Sequence, residues 1–280
     1  MARALRYDIK RLRDTYHDPD EFDKHLALCE QHEVKLKGIY DDYLKNMVIL
    51  HAHQSEILKK LEPVASAAHS IRTRIKDPDH LIIKIIRKVS EESDNSAKYY
   101  GLNPDNYYKV IMDLIGVRIL VLHKKNWKDV HDAINKAFPT KKTAHIKKGD
   151  DPIEYYDKEK NTDHPIAFIA EPPIAYYTDK DDKPLYLEKN VKAEESQKGY
   201  NTVHYIVRFK EYYFELQVRT LFEEGYLEFD HEIKYPADNK NQIKEDYIKS
   251  LKAVALSADR LIAFYDKNES LFMQPKEETP

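Results

Sequence analysis

One cysteine and six glycines are all that this 280-residue chain holds of either residue, and both scarcities exclude chemistry. With Cys29 alone, no intramolecular disulfide forms and no cluster of thiolates binds zinc. With glycine only at Gly38, Gly101, Gly116, Gly149, Gly199 and Gly225, neither GxxxxGK[ST] nor GxGxxG can be written, so any nucleotide is held by side chains. No apolar run approaches the ~18 residues of a membrane span. The opening stretch MARALRYDIKRLRD is too charged for the apolar core of a signal peptide. A cytoplasmic protein with no membrane partner is expected. The net charge of −3 gives no global attraction to nucleic acid, although basic groups gather in RTRIK, IIRK and KKTAHIKKGD.

What is present describes a folded α/β chain: 34% charged and 41% hydrophobic residues, with regular apolar periodicity. Residues 1–64 read as a helical segment, with Leu36, Ile39, Tyr40, Tyr43 and Leu44 on one stripe, Ile57, Leu58 and Leu61 on a later one, and Pro63 ending it. HSIRTRIK is extended. Asp77-Pro78 caps a helix reaching about Glu92, and DLIGVRILVL is a buried strand. Asn126 to Phe138 is a short helix. The polar, tyrosine-rich stretch 139–198 is an insertion with one strand at PIAFIA, too long for an ordinary loop. Thr220 and Glu223 form a capping box ahead of a helix with the stripe Phe222, Tyr226, Phe229, Ile233. A helix from about Gln242 to Tyr265 closes the chain. The core is therefore 65–235, a small mixed sheet covered by helices, followed by a C-terminal helix within 236–271 and a tail at 272–280.

The stretch from Gly199 to Thr220 pairs with itself by counting. A two-residue turn at Lys210-Glu211 sets Phe209 against Tyr212, Val207 against Phe214, Tyr205 against Leu216 and Val203 against Val218, one apolar face. The other face carries Arg208 opposite Tyr213, Ile206 opposite Glu215 and His204 opposite Gln217, with Arg219 beyond. Such a face is either the wet side of an ordinary antiparallel pair or a platform for polar chemistry. Arg72, Arg74 and Lys76 share one side of the preceding extended segment, and Lys84 and Arg87 share one face of the next helix. Five converging cations suit a polyphosphate or a solvated basic face. Asp113 and Glu215, two carboxylates beside such a site, suit Mg²⁺. His51 and His53 are read as surface residues, and the dipeptides His17-Asp18 and His131-Asp132 carry little weight as metal motifs.

Taken in order, R74-I-K76 with K84, D113-L-I-G-V-R118, G199-Y200-N-T-V-H204, E215-L-Q217-V-R219-T220 and E228-F-D-H231 resemble the synthetase domain of the RelA/SpoT family over roughly Ala65 to Tyr235. The resemblance implies a nucleotidyltransferase-like fold and an enzyme that moves the β,γ-pyrophosphate of ATP to the ribose 3′-hydroxyl of GDP or GTP, making (p)ppGpp. It further implies that Arg74 and Arg118 sandwich adenine, that Lys76, Lys84 and Arg87 hold the ATP phosphates, and that Asp113 binds Mg²⁺. Glu215 would be a second metal ligand or the base for the attacking hydroxyl. Tyr200 would stack on the acceptor base, with His204, Gln217 and Lys198 as further acceptor contacts. The family pattern PKxNGY is replaced by EESQKGY, with Ser196 in the lysine position and Lys198 in that of the asparagine. The residues ahead of the core are too few for the family's hydrolase domain, so a stand-alone synthetase is expected, or a toxic relative that uses the 3′ end of tRNA or an adenine nucleotide. A homo-oligomer and an antitoxin are the protein partners such relatives suggest. A catalytically silent nucleotide-binding regulator is the alternative from another class.

Overall fold

The computed structural model describes residues 6–16, 18–91, 93, 95–140, 167–197, 199–234 and 242–272. Its sheet has seven strands: β1 (Ser70–Ile75), β2 (Ile115–Val121), β3 (Ala167–Ile169), β4 (Ile174–Tyr177), β5 (Lys192–Glu195), β6 (Thr202–Phe209) and β7 (Tyr212–Thr220), in the order β1-β2-β7-β6-β4-β5 with β3 also on β6. The pairings β2/β7 and β4/β5 are parallel and the others antiparallel, so the sheet is mixed. The longer helices are α1 (Ile9–Thr15), α2 (Phe22–Gln31), α3 (Leu36–Lys60), α4 (Pro78–Ser90), α5 (Trp127–Ala137), α6 (Leu221–Lys234) and α7 (Gln242–Lys267).

The β6/β7 hairpin has the register that alternation dictates, from Phe209 opposite Tyr212 to Val203 opposite Val218. Its turn lacks the usual glycine, and Lys210 itself takes the left-handed backbone, at φ +53°. The eight apolar residues of that pairing are buried, as are Ile115, Val117 and Ile119 of β2. α3 and α5 cover this face: His53 packs edge-on to Phe209 and Tyr212, while His131 Nδ1 lies 2.9 Å from the Tyr205 hydroxyl. α4 caps on Asp77, whose carboxylate accepts from the Asp79 and His80 amides, and buries one row including Leu81, Ile82, Ile85 and Ile86. Cys29 is buried in the helical layer, and that burial pushes its thiol up to about 12. Among the described residues no helix is long and apolar enough to cross a membrane.

Several sequence expectations are corrected. The described residues of the stretch 139–198 include three strands, all members of the sheet, where one was expected. Pro63 stands in the first turn of a further short helix, Glu62–Ala65, and does not end helical backbone. His53 is buried and Leu58 exposed. On α6 only Tyr226 of the apolar stripe is buried, with Phe222 and Phe229 exposed, because α6 turns its acidic row toward the sheet. Thr220 does cap that helix, accepting from the Glu223 amide at 3.2 Å, but the Glu223 side chain does not close the box. It accepts from the Asn201 amide at 2.8 Å and from the Asn201 side chain. Burial, with Asp259 nearby, pushes the Glu223 carboxyl up to about 7.

Candidate active site

Strand alternation carries a polar row across the second face of the sheet. Arg72 and Arg74 of β1 lie beside Arg118 and Gly116 of β2, which lie beside Gln217 and Glu215 of β7. Next come His204 and Ile206 of β6. Gly116 has a steric reason to be glycine: a Cβ there would meet Arg74 Cγ at 3.3 Å, so its absence lets the Arg74 side chain lie across the strand.

At one end of this row a cavity of about 360 Å³ is lined by Arg74, Lys76, Lys84, Arg87, Asp113 and His231, among others. Of the five cations expected to converge, Arg74, Lys76, Lys84 and Arg87 line this cavity and Arg72 does not. Asp113 sits between two of them, with Lys76 Nζ at 2.8 Å and Lys84 Nζ at 2.7 Å. Burial raises the Asp113 carboxyl, but the two ammonium groups outweigh it and hold the pKa down at about 2. Burial depresses the Lys76 ammonium and Asp113 offsets only part of that. His231, reaching in from α6, is lowered by burial and by the Arg74 charge.

At the other end a second cavity, about 420 Å³, is lined by Tyr176, Glu194, Glu195, Ser196, Tyr200 and His204 together with Gln197. The Ser196 hydroxyl accepts from the Gly199 and Tyr200 amides, at 3.0 and 3.2 Å, and so shapes the loop that presents Tyr200. Gly199 supplies the left-handed turn at φ +72°. The Tyr176 ring lies edge-on to His204, centroids 5.3 Å apart. Lys198, expected to touch the acceptor, lies outside the described residues.

Glu215 stands on β7, between β2 and β6 in the sheet, and lines neither cavity itself. Its Oε1 is 3.1 Å from His204 Nδ1, and its Oε2 accepts from Gln217 Nε2 at 2.9 Å. Burial raises this carboxyl, the His204 and Gln217 bonds outweigh it, and a smaller push upward comes from the Asp113 charge. The other ring nitrogen of His204, Nε2, is buried with no hydrogen-bond partner, on a residue that lines the second cavity. Gln217 therefore holds Glu215, where an acceptor contact was expected. The chain of contacts continues through Arg219, bound to Gln217 and 3.3 Å from Glu224, to Arg118, which pairs with Glu224 at 2.8 Å and with Glu228. Arg118 shares a sheet face with Arg74 but is held by these α6 carboxylates and does not line the first cavity.

The donor set fits a hard divalent cation. Mg²⁺ is ordinarily held by one or two carboxylates with substrate phosphates and water completing its shell. Asp113 lines the basic cavity, and Glu215, whose carboxyl the Asp113 charge pushes upward, is a second oxygen donor. Among the described residues no group of three or more His, Cys, Asp or Glu side chains could hold a metal without such help. Tyr176, Glu194, Glu195 and His231 are lining residues that were not assigned a role from the sequence. Only His231 left a signal there, as the last residue of the final motif.

Comparison with known proteins gives one family: the region found in RelA / SpoT proteins matches residues 73–240. No curated protein matches the chain. Solved structures with a similar course include the small alarmone synthetase 1 from Bacillus subtilis, at 14% identity and a TM-score of 0.43 over 82% of this chain and 94% of that one. The same protein bound to its product pppGpp matches at 14% identity and a TM-score of 0.44, over 81% and 94%. A GTP pyrophosphokinase family protein from Streptococcus pneumoniae matches at 15% and 0.42, over 84% and 96%. Family membership rests on the sequence region and not on these distant likenesses.

Proposed function

The chain belongs to the RelA/SpoT family, and we propose that it is a Mg²⁺- and ATP-dependent pyrophosphokinase that transfers the β,γ-pyrophosphate of ATP to the ribose 3′-hydroxyl of GDP or GTP. The observation that carries this reading is the pair of cavities, one cationic around Asp113 and one bearing Tyr200 and His204, with Glu215 bonded to His204 and its carboxyl sensing the Asp113 charge. In this reading Lys76, Lys84, Arg87 and Arg74 hold the donor phosphates and compensate their charge. Asp113 and Glu215 would hold Mg²⁺, which supplies charge neutralisation at the phosphates when bound. Tyr200 stacks on the acceptor base, and Glu215, oriented by His204 and Gln217, faces the attacking hydroxyl. The 3′-oxygen bonds to the β-phosphorus, the bond from that phosphorus to the α,β-bridging oxygen breaks, and AMP leaves. The proton of the hydroxyl passes to Glu215. Two intact acids beside the cations argue against a silent nucleotide-binding regulator, since binding alone does not need both.

A second reading keeps the donor chemistry and takes tRNA or an adenine nucleotide as acceptor. The described lining of the acceptor cavity includes Glu194 and Glu195 but no Lys or Arg to meet the 5′-phosphates of any free nucleotide, which within this reading favours the tRNA 3′ end. Offering γ-labelled ATP with GDP, GTP, AMP, ADP, ATP or deacylated tRNA separates the two. We expect label on GDP or GTP, insensitive to salt and indifferent to removal of Lys141, Lys142, Lys147 and Lys148, which lie outside the described residues. Label on tRNA that these four substitutions weaken, with a flatter salt dependence, would overturn the guanine reading.

Tyr200 gives a narrower check. Base–aromatic stacking is worth about 1–3 kcal/mol, so Tyr200→Ala should raise the KM for the acceptor roughly 10- to 100-fold. The KM for ATP should stay near wild type, because Tyr200 does not line the first cavity. An unchanged acceptor KM would remove Tyr200 from the acceptor site.

A further inference from the structure

Asn201 follows Tyr200 in the chain, and both polar atoms of its side chain are held. Its Nδ2 donates to Glu223 Oε1, its backbone amide donates to the same oxygen at 2.8 Å, and its Oδ1 accepts from the Thr178 amide at 2.7 Å and the Thr178 hydroxyl at 3.1 Å. Thr178 follows β4 and stands two residues past Tyr176. One side chain thus ties together the backbone beside Tyr176 and the backbone beside Tyr200, the two aromatic walls of the second cavity. Neither Asn201 nor Glu223 lines that cavity, and each is only 2% exposed. A glutamate three residues into a helix ordinarily turns back to its own N-cap. Glu223 gives its oxygen to the loop instead, while the Thr220 hydroxyl accepts from its amide and donates to Asp259 of α7 at 2.9 Å. Glu223 Oε2 and Asp259 Oδ1 are left buried without a hydrogen-bond partner, a cost that an apolar side chain at either place would avoid.

We propose that Glu223 is a positioning residue: through Asn201 it fixes the backbone at Tyr200 and at the end of β4, and so holds the rings of Tyr200 and Tyr176 in place for the acceptor base. The inference rests on the acceptor role proposed for this cavity. The titratable groups that face Glu223 are Asp259 of α7, Lys124 after β2, Arg219 of β7 and Tyr186, and Lys124 is itself paired with Asp182 at 2.7 Å. A proton that Glu223 takes up can sit on the unbonded Oε2, which leaves Oε1 accepting from Asn201. The wild-type clip therefore survives the titration of its own carboxyl.

Asn201→Asp tests this, since it changes no volume but removes the donor and sets a second carboxylate against Glu223. The KM for GDP should rise about tenfold, with the KM for ATP near wild type. Because Glu223 loses its proton as pH rises through about 7, the ratio of the variant's KM to that of wild type should grow between about pH 6 and about pH 8.5. Combining Asn201→Asp with Glu223→Gln supplies a donor again and should restore the KM and abolish that pH dependence. Asn201→Ser, which removes the bond without adding charge, should raise the KM for GDP at all pH values alike. Hydrogen exchange at the amide of position 201, read without substrate, should quicken in both single variants and slow again in the double. A wild-type KM for GDP in Asn201→Asp and Asn201→Ser, or equal losses toward GDP and ATP, overturns the positioning role, and failure of the double variant to recover overturns Glu223 as its source. Wild type that makes no product from GDP counts against the proposed reaction, and the exchange rates then decide the clip: unchanged exchange overturns it.

Discussion

Asp113→Asn will lose essentially all transfer, by roughly 10³-fold or more, while the chain stays folded. The magnitude follows from removing a charged oxygen donor where phosphate charge must be neutralised, an effect worth several kcal/mol at about 1.4 kcal/mol per tenfold. The substitution changes no volume, so the cavity keeps its shape. It does leave Lys76 and Lys84 without the carboxylate that lies 2.8 and 2.7 Å from them. Lys76 is already depressed by burial, so a modest loss of stability, about 1–3 kcal/mol, should accompany the change. Circular dichroism and thermal melting separate that loss from the loss of turnover. Wild-type turnover at saturating Mg²⁺ would take Asp113 out of the reaction.

Glu215→Gln should lower kcat by about 10²- to 10⁴-fold, the range of a positioned proton acceptor, with the KM for the acceptor changed little. The amide keeps one oxygen to accept from Gln217, so the β7 network survives in outline. What disappears is the charge that His204 orients and that, in the proposed reaction, would take the proton of the hydroxyl. A variant whose kcat is intact and whose KM alone rises would make Glu215 a binding group and refute the base role.

The hairpin was legible because alternation and a two-residue turn over-determine its register, and each of its cross-strand pairs is found. The basic cavity was legible for a similar reason: Arg74, Lys76, Lys84, Arg87 and Asp113 lie at a strand, the helix after it and the entrance of the next strand, which pairs with the first. The second cavity, around Tyr200 and His204, was only half legible. Tyr176 and Glu194 stand on four-residue strands, one just after two prolines and one reading Lys-Ala-Glu-Glu, and neither has a run long enough to show a period. Arg118 shows a different limit. Its place on the sheet follows from alternation, but its hold by Glu224 and Glu228 is made across more than a hundred residues and has no local signature. The stripe Phe222, Tyr226, Phe229, Ile233 misled because its period is correct while the inward row of α6 is acidic. That row covers Arg118 and Arg219 of the sheet, while Tyr226, Leu227 and Ile233 pack instead against α7.

The products of a single reaction of the wild-type chain with ATP, Mg²⁺ and GDP test the central claim most directly. Separated by anion-exchange chromatography, they should be AMP and a guanosine nucleotide carrying two additional phosphates, formed one to one, with no AMP released when the acceptor is omitted. ADP with a singly phosphorylated acceptor, or AMP and free pyrophosphate at the same rate with and without GDP, would contradict it.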